Sequence, residues 1–493
     1  MGNYLAFDLG ASSGRAIIGT LKNGKLSLQE VHRFGNGPVE KNGSLFWDYE
    51  SLQNELVSGL GKAVATGVKL DGISIDTWGV DYLFFDRSTR KMLRPPYNYR
   101  DRRTLDAAEK ISKLMDKSEI YQASGIQYMT LNTIFQLFAH KEQHPEDMEN
   151  GVFLPIPDAL AFALGGDFTA EYTHCSTFAL LDPATRQWNW ELISRLGLSK
   201  EIFPEIVPPC SANGQLKKEL CEKFNIPPIP IFKCGSHDTA SAVLAVPAPP
   251  NRNWAYLSAG TWALLGVESS VPVVTPASGA ANVTNEGGVG DTIRFLTNIM
   301  GSWLFQELKR VWNSEGKNLS FNDIESMARN EKMCRYFVDP NCADFAAPGD
   351  MPGNIRNFCR STGQTGNLSD SEVARTVYDS LALCFRQKLE LIESLQGVKY
   401  QCLNIVGGGT KDRFLMQLTA SALNRQVITG PVEATASGNI LAQAIASGEI
   451  SGISEAREVV RNSFKVETFE PDAADAEIYQ QNYGKFGKIT EQK

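Results

Sequence analysis

The stretch Asp8-Leu9-Gly10-Ala11-Ser12-Ser13-Gly14-Arg15 decides the fold of this chain. An apolar run at 4–7 precedes it and another at 16–18 follows it, which predicts a strand, a tight turn and a second strand. Gly10 and Gly14 permit the backbone angles that such a turn needs. The small residues between them leave backbone N–H groups and two hydroxyl groups uncovered, and a concavity of this kind binds phosphate oxygens. The stretch therefore predicts a phosphate-binding turn.

Two charged side chains flank this turn. Asp8, at the end of the first predicted strand, could hold a hydrated Mg²⁺ ion against the phosphates. Arg15 could add positive charge beside them.

Two other interpretations of the same residues stay open at this point. An ordinary hairpin turn accounts for them. Residues 10–14 also match the G-x-S-x-G motif of hydrolases, in which a nucleophilic serine lies between a strand and a helix. The β-like run at 16–21 disfavours the hydrolase motif, because that motif needs a helix there.

The composition excludes several classes of protein. A chain of 493 residues is too long for one compact core, so we expect two or three domains. The net charge of −8 disfavours a surface for nucleic acid or for an anionic membrane. We find neither an apolar run of membrane-spanning length nor the pattern of a signal peptide, and the nine cysteines are scattered. We expect a cytoplasmic monomer with reduced thiols and small-molecule partners.

A proline-rich linker at 247–252 divides the chain, and the pattern of the first residues starts again after it. Three short stretches before the linker recur in similar form, and in the same order, after it, and we call these repeats echoes. They pair 3–11 with 253–261, 73–79 with 403–409, and 238–241 with 434–437. Three ordered echoes predict two similar α/β halves that face each other across a cleft. The halves differ chemically, because Ser258 replaces Asp8 and Ala434 replaces Asp238. We therefore assign the chemistry to the first half.

Asp238 is the candidate catalytic residue. It follows a strand-like run at 229–234 and precedes a predicted helix at 239–245, where α/β proteins place their sites. A carboxylate there can accept the proton of a substrate hydroxyl while that oxygen attacks phosphorus. A helix cap explains the same aspartate equally well. The neighbouring His237 would either hydrogen-bond the substrate or pack.

Two further groups are consistent with a ligand site. Asp76, Trp78 and Asp81 lie near the end of a predicted strand, and aromatic rings with carboxylates are typical of sugar sites. A core tryptophan with surface charges is the alternative. The glycines at 407–409 would let a ring or a phosphate approach the backbone, although they form neither a dinucleotide fingerprint nor a Walker A motif.

A series of motifs, in order over most of the chain, resembles the FGGY family of carbohydrate kinases within the actin-like ATPase fold. They are DLGASSGR (8–15), IDTWGVDY (75–82), YRDRR (99–103), SGIQ (124–127), SHDTASAV (236–243), YLSAGTW (256–262), NEGG (285–288), NIMGSWLFQ (298–306), IVGGG (405–409) and GPVEA (430–434). The resemblance implies two similar actin-like, ribonuclease H-like ATPase domains. The first, at 1–246, would bind the sugar, the second, at 253–455, would bind the nucleotide, and 456–493 would be an extension.

The resemblance also implies the site residues. The ATP-binding residues would be Ala11, Ser12, Ser13, Gly14, Arg15, Thr261, Gln306 and Gly408. The residues in contact with a ketose would be Gly79, His237, Asp238, Thr239 and Asn298. Asp238 would be the proton acceptor, and Asp8 would hold Mg²⁺ through water.

The implied reaction is the phosphorylation of L-rhamnulose by ATP to give L-rhamnulose 1-phosphate, with Mg²⁺ as cofactor. Another ketose or polyol, such as L-fuculose, xylulose or glycerol, stays open, because residue spacing cannot choose a hydroxyl stereochemistry. Two rivals of other classes are a nucleotide-driven binding protein of the same fold and an NAD dehydrogenase suggested by the glycines.

Overall fold

A computed structural model describes residues 1–491 of the chain. Its strands are β1 (Gly2–Leu9), β2 (Ser13–Lys22), β3 (Lys25–Gly35), β4 (Pro38–Lys41), β5 (Ser44–Trp47), β6 (Gly72–Thr77), β7 (Tyr82–Asp86), β8 (Gly151–Pro155), β9 (Ala170–Glu171), β10 (Ile206–Val207), β11 (Ser211–Gln215), β12 (Pro230–Lys233), β13 (Trp254–Ala259), β14 (Trp262–Ser269), β15 (Thr284–Gly287), β16 (Ile293–Met300), β17 (Cys402–Val406), β18 (Gln426–Thr429) and β19 (Glu467–Phe469).

The chain begins with five successive strands, and runs of successive helices follow later. The helices are α1 (Tyr49–Ala65), α2 (Arg103–Ser112), α3 (Lys117–Ser124), α4 (Thr133–Gln143), α5 (Pro145–Asn150), α6 (Ile156–Leu164), α7 (Tyr172–Cys175), α8 (Trp190–Arg195), α9 (Lys218–Phe224), α10 (Asp238–Leu244), α11 (Pro276–Ala280), α12 (Trp303–Ser314), α13 (Phe321–Arg329), α14 (Met351–Ser361), α15 (Asp370–Gln396), α16 (Arg413–Leu423), α17 (Ala434–Ala446), α18 (Ile453–Ser463) and α19 (Ala473–Thr490). Short 3-10 helices lie at Ser176–Phe178, Lys200–Ile202, Ala343–Phe345 and Gly408–Lys411.

The chain forms two compact units. The first comprises Met1–Val246, Glu268–Phe295 and Glu433–Phe464, and the second comprises Pro247–Val267, Leu296–Val432 and Lys465–Lys493. The chain first passes from one unit to the other at Pro247, where the predicted linker begins. The later segments differ from the predicted division into 1–246, 253–455 and 456–493, because two stretches beyond the linker belong to the first unit.

The first unit is built on a six-stranded sheet of order β11-β12-β6-β1-β2-β3. Strand β1 pairs antiparallel with β2 and parallel with β6. Leu56 and Leu60 of α1 pack in the same buried apolar cluster as the side chains of β1. Helix α1 begins at Tyr49 because the Asp48 carboxylate accepts the N–H of Ser51 at 3.0 Å. The predicted helix at 49–65 is confirmed.

A second apolar cluster lies in the chain between β7 and β11. Phe84 on β7, Phe135 on α4, Phe153 on β8 and Trp188 before α8 are buried in it. The helices α2, α4, α6 and α8 lie within one turn of the bounds predicted at 103–115, 131–143, 157–164 and 190–196. The segment between β7 and β11 therefore packs around an apolar cluster of its own within the first unit.

The second unit repeats the topology of the first. Its strands follow the order β16-β14-β13-β17-β18-β19 within a seven-stranded sheet. Strand β13 pairs antiparallel with β14 and parallel with β17, just as β1 pairs with β2 and with β6. Asp238 and Ala434 are the first residues of the two stretches paired in the third echo, and each begins a helix. The repeat in the sequence is therefore a repeat of the fold.

The nine cysteines are all free thiols, and all but Cys210 are buried. Over residues 1–491 there is no helix that combines the length and the apolar composition needed to cross a bilayer.

Helices α10 and α17, both in the first unit, pack closely at a glycine. A Cβ added to Gly438 on α17 would lie 1.7 Å from the carbonyl oxygen of Ser241 on α10. That neighbour is backbone within a helix and cannot rotate away. The close approach therefore requires glycine at 438.

We expect Gly438→Ala to lower the free energy of unfolding by about 1–3 kcal/mol, because the added methyl group forces the two helices apart. The matched control is Gly484→Ala on α19, where an added Cβ meets open space. That change should raise stability by about 0.5–1 kcal/mol, because alanine is the better helix former. Melting temperatures of both variants check this, and an unchanged or higher value for Gly438→Ala would contradict the packing argument.

Candidate active site

The turn between β1 and β2 is a hairpin turn. The N–H of Gly10 donates to the carbonyl of Ser13 at 2.9 Å. Asn36 braces the turn, since its side chain donates to the Gly10 carbonyl at 2.9 Å and its N–H donates to the Ser12 carbonyl at 3.1 Å. Ala11, Ser12 and Ser13 are exposed or half-buried at the tip. Because a strand follows the turn, the hydrolase interpretation is excluded.

Gly14 and Arg15 lie at the start of β2, beyond the tip of the turn. Gly14 is buried, and a Cβ there would lie 2.2 Å from the ring of Phe34. Arg15 stands opposite Asp8 in the ladder, and its guanidinium donates to the Asp8 carboxylate at 2.5 Å and also to the carboxylate of Glu433. Any contact of Arg15 with a phosphate has to be made alongside these two ion pairs.

Asp8 and Asp76 are register partners on the parallel strands β1 and β6, and both are buried. Burial raises the pKa of Asp8, which the Arg15 guanidinium opposes and the charge of Asp238 reinforces. Burial, followed by the charge of Asp8, raises the pKa of Asp76 well above its usual range. Negative charge is therefore costly at this end of the sheet, which favours the uptake of a cation or a proton.

Two amide side chains on α17 support Asp76. Asn439 donates to Oδ2 of Asp76 at 2.6 Å, and Gln443 donates to Oδ1 of Asn439 at 2.8 Å. The other oxygen of Asp76, Oδ1, is buried and has no hydrogen-bond partner among the described residues. Neither amide was predicted from the sequence. A pair of amides four residues apart in an otherwise apolar helix is the pattern that could have found them.

Asp238 is the first residue of α10 and does not cap it. The N-cap position is taken by His237. The Asp238 carboxylate accepts the hydroxyl of Thr239 at 3.0 Å, and its Oδ1 lies 3.5 Å from Nε2 of His237. One third of the Asp238 side chain, 33%, is exposed. The cap interpretation is therefore excluded, and the carboxylate remains open to a substrate.

A buried carboxylate fixes the peptide that carries Asp238. Glu171 accepts the N–H of Ser236 at 3.0 Å and the hydroxyl of Thr173 at 2.6 Å. The Thr173 hydroxyl oxygen in turn accepts the N–H of His237 at 3.3 Å, and the Ser236 carbonyl accepts the N–H of Thr77 at 2.9 Å. These bonds hold the loop before α10, and with it the backbone of Asp238, in one conformation.

The turn after β6 brings Gly79 close to His237. A Cβ added to Gly79 would lie 3.3 Å from Nε2 of His237 and from the side chain of Thr177. The next residue, Val80, has a φ of +69°, which is strained for a β-branched side chain. Its N–H donates to the Thr177 hydroxyl at 3.1 Å, and its carbonyl accepts the Thr133 hydroxyl at 2.6 Å. Strain held in this way is typical of ligand sites.

Trp78 and Asp81 are core residues. The Asp81 carboxylate accepts the indole N–H groups of Trp47 at 2.5 Å and of Trp78 at 2.9 Å, and the amide of Gln136 at 3.1 Å. Burial raises the pKa of Asp81 to about 6 against these hydrogen bonds. The centroids of the two indole rings lie 4.0 Å apart. Trp78 is therefore a core tryptophan, but the surface charges expected beside it are wrong, because Asp76 and Asp81 are both buried.

The second unit has its own glycine turn, between β13 and β14. The N–H of Gly260 donates to the carbonyl of Trp262 at 2.9 Å. Thr261 is exposed at the tip, and its carbonyl accepts the N–H groups of Gly301 at 3.1 Å and Trp303 at 3.2 Å. The turn is thereby tied to the first turn of α12.

Gln306 lies one turn further along α12 and is linked to the same place. Its amide donates to the Ser302 hydroxyl at 3.0 Å, and that hydroxyl donates to the Gly260 carbonyl at 2.8 Å. Asn298, the remaining predicted residue of this unit, is half-buried on β16.

The three glycines after β17 pack against the end of β13. Gly407 has a φ of +92°, and a Cβ on Gly409 would lie 2.6 Å from the Cβ of Ala259. Gly408 is exposed, and an added Cβ there would meet open space. Thr261, Gln306 and Gly408 therefore lie on neighbouring turns at one end of the second unit's sheet.

The carboxylates of Asp8 and Asp76 suit a magnesium ion that arrives with a nucleotide. Within residues 1–491, no group of three or more histidine, cysteine, aspartate or glutamate side chains is arranged to hold a metal ion. Mg²⁺ at nucleotide sites takes one or two carboxylates, with phosphate oxygens and water completing its shell. The buried, unpartnered oxygen of Asp76 fits such an ion.

Comparison with known proteins gives matches over both parts of the chain. The model for the N-terminal domain of the FGGY family of carbohydrate kinases matches residues 3–245, and the model for the C-terminal domain matches residues 255–447. The rhamnulokinase of Enterococcus faecalis is 41% identical over 96% of this chain and 95% of its own length. The rhamnulokinase of Bacillus subtilis is 37% identical over 97% and 98%.

Solved structures share the fold at much lower identity. The ligand-bound xylulose kinase of Lactobacillus acidophilus superposes with a TM-score of 0.83 at 16% identity and covers 100% of this chain and 98% of its own. The glycerol kinase of Plasmodium falciparum with ADP has a TM-score of 0.80 at 18% identity and covers 99% and 98%. The predicted α/β class and the actin-like ATPase fold are confirmed.

Proposed function

Because the chain belongs to the FGGY family of carbohydrate kinases, we propose that it transfers the γ-phosphoryl group of ATP to L-rhamnulose and releases L-rhamnulose 1-phosphate and ADP. One observation carries the choice of sugar. The relatives named rhamnulokinase are 41% and 37% identical over nearly the whole of both chains.

Asp238 is the proposed general base. Its carboxylate takes the proton of the reacting hydroxyl while that oxygen forms a bond to the γ-phosphorus. The bond from the γ-phosphorus to the bridging oxygen breaks at the same time, and ADP leaves with that oxygen. The fixed loop before α10 and the open side chain of Asp238 support this role.

The other proposed sugar contacts are Gly79, His237, Thr239 and Asn298. Gly79 and His237 lie against each other, and Thr239 donates to the Asp238 carboxylate. A small residue at 79 leaves room beside Nε2 of His237, where a substrate oxygen could lie.

The proposed ATP contacts are of two kinds. The tip at 11–13 offers backbone N–H groups and two hydroxyls to the phosphates, with Gly14 and Arg15 behind it. Thr261, Gln306 and Gly408 of the second unit are proposed to bind the nucleotide. Mg²⁺ would neutralise phosphate charge as it develops, and Asp8 with Asp76 would hold it, mainly through water.

Turnover with a panel of sugars tests the proposal. We expect kcat/KM for L-rhamnulose to exceed the values for L-fuculose, xylulose and glycerol by about tenfold or more, because a site that hydrogen-bonds hydroxyl groups rejects a mismatched isomer. ADP release in a coupled assay measures this, and ATP without sugar is the control. A higher value for another sugar would replace L-rhamnulose and leave the kinase family intact.

A further inference from the structure

A buried glutamate–arginine pair lies behind His237. The NEGG motif at 285–288, to which the proposed function gives no role, places Glu286 on β15, and Arg294 lies on β16. Arg294 has no exposed surface, and Glu286 is buried. One guanidinium nitrogen of Arg294, Nη2, lies 3.2 Å from Oε2 of Glu286 and 3.0 Å from Nδ1 of His237, while Nε donates to the Gly287 carbonyl at 2.8 Å.

This contact decides which ring nitrogen of His237 carries the hydrogen. An arginine side chain has donors and no acceptor. Nδ1 of His237 therefore accepts from Nη2 of Arg294, and the single N–H of the imidazole lies on Nε2. Oε2 of Glu286 is 3.4 Å from Nδ1 and 3.2 Å from Nη2, and it has no hydrogen-bond partner among the described residues. Glu286 therefore holds Nη2 as an ion pair, while Nδ1 accepts the hydrogen bond from Nη2.

We propose that Arg294, held by Glu286, is a positioning residue that fixes His237 as a hydrogen-bond donor through Nε2 to an oxygen of the sugar. This inference rests on the proposed kinase function. His237 and Asp238 then have opposite hydrogen-bonding roles at neighbouring positions, since Nε2 of His237 lies 3.5 Å from Oδ1 of Asp238. His237 donates to one sugar oxygen, and Asp238 accepts the proton of the reacting hydroxyl. With the other tautomer, both groups would be acceptors and would compete for that proton.

A purely stabilising role accounts poorly for this pair. Burial would raise the pKa of Glu286, but the Arg294 guanidinium outweighs it and holds that pKa below its usual value. A buried ion pair of this kind is often no more stable than apolar side chains of the same volume. Nη1 of Arg294 is also buried without a hydrogen-bond partner within the described part of the chain, which adds to the cost. A role in orienting His237 explains why the pair is there.

The tautomer can be observed without turnover. The full chain contains five histidines, so selective ¹⁵N labelling gives few signals, and the His237→Gln variant identifies the ring of interest. Correlation of ring nitrogens with ring protons distinguishes the protonated nitrogen from the unprotonated one. We expect the pattern of an Nε2–H imidazole. A hydrogen on Nδ1 would overturn the proposal, whatever the sugar specificity proves to be.

A double variant tests the consequence for the sugar. Arg294→Leu combined with Glu286→Gln removes the donor without leaving an unpaired buried carboxylate. We expect the KM for the sugar to rise about 10–100-fold, as for a lost hydrogen bond in a binding site, while the KM for ATP changes less than about threefold. The double variant should also lose the uniform Nε2–H signal. An unchanged sugar KM, or equal rises for sugar and ATP, would contradict the proposal.

A second buried ion pair provides the matched control. Arg375 and Asp379 on α15 are buried and joined at 2.9 Å, in the second unit. Arg375→Leu with Asp379→Asn should leave the sugar KM and the His237 signal unchanged, whatever its effect on the melting temperature. In the His237→Gln variant, the glutamine amide can donate a hydrogen bond whether or not Arg294 is present. Removing Arg294 from that variant should therefore raise the sugar KM by less than about threefold. If the double variant fails to fold, the spectrum of the unmodified chain still decides the proposal.

Discussion

Asp238→Asn is expected to lower kcat by about 10²–10⁴-fold, because a neutral amide cannot take up the proton of the reacting hydroxyl. The fold should change little. His237, not Asp238, occupies the N-cap of α10, so the substitution removes no capping hydrogen bond. Loss of a negative charge at the first turn of a helix costs about 0.3–1 kcal/mol. Melting temperature and ATP binding should therefore stay close to those of the unmodified chain.

The control for this variant is Thr239→Val, which removes the hydroxyl that donates to the Asp238 carboxylate at 3.0 Å and leaves the carboxylate in place. Its effect on kcat should be much smaller than that of Asp238→Asn. Retention of activity within about tenfold in Asp238→Asn, which is about 1.4 kcal/mol of barrier, would remove Asp238 from the mechanism. Parallel losses of stability and activity would assign it a structural role.

Asp8→Asn is expected to lower kcat by about 10²-fold or more and to raise the Mg²⁺ concentration needed for half-maximal rate. Charge stabilisation by a metal at a phosphoryl group is worth several kcal/mol, and each factor of ten corresponds to about 1.4 kcal/mol. The KM for the sugar should change little, because Asp8 lies beside the phosphate turn. Initial rates over a range of Mg²⁺ concentrations measure both effects.

Asp8 also pairs with Arg15, so this variant needs a control that separates the two roles. Glu433→Gln removes the other ion-pair partner of Arg15 and leaves Asp8 in place. It should not alter the dependence on Mg²⁺. If Asp8→Asn shows an unchanged dependence, or if both variants shift it equally, the assignment of Asp8 to the metal is wrong.

Local sequence patterns predicted the parts of the fold that local physics controls. The glycine turn after Asp8 and its echo at Gly260 both form hairpin turns, because short residues between two apolar runs permit few other conformations. The cap at Asp48 fixed the start of α1. The predicted similarity of the two halves is seen in the strand pairing, since β1 and β13 each pair with one antiparallel and one parallel strand.

Contacts over long sequence separations were not predictable in this way. Asn439 and Asp76 are joined across 363 residues, and His237 and Arg294 across 57. A residue pattern within one helix or strand contains no information about such partners. The core position of Trp78 and Asp81 was not predictable for the same reason. Their side chains suit a sugar site, but they form hydrogen bonds with each other, and Asp81 also accepts from Trp47 and Gln136 in the core. Whether a polar residue is open to a ligand depends on such partners.

We propose that this chain couples the breakdown of ATP to phosphorylation of a sugar hydroxyl. The most direct test is ³¹P NMR of the chain with ATP, Mg²⁺ and L-rhamnulose. We expect a phosphomonoester signal, coupled to the protons of C1 of the sugar, that grows in step with ADP while inorganic phosphate stays absent. Growth of inorganic phosphate in step with ADP, or ADP formation at the same rate without sugar, would contradict it.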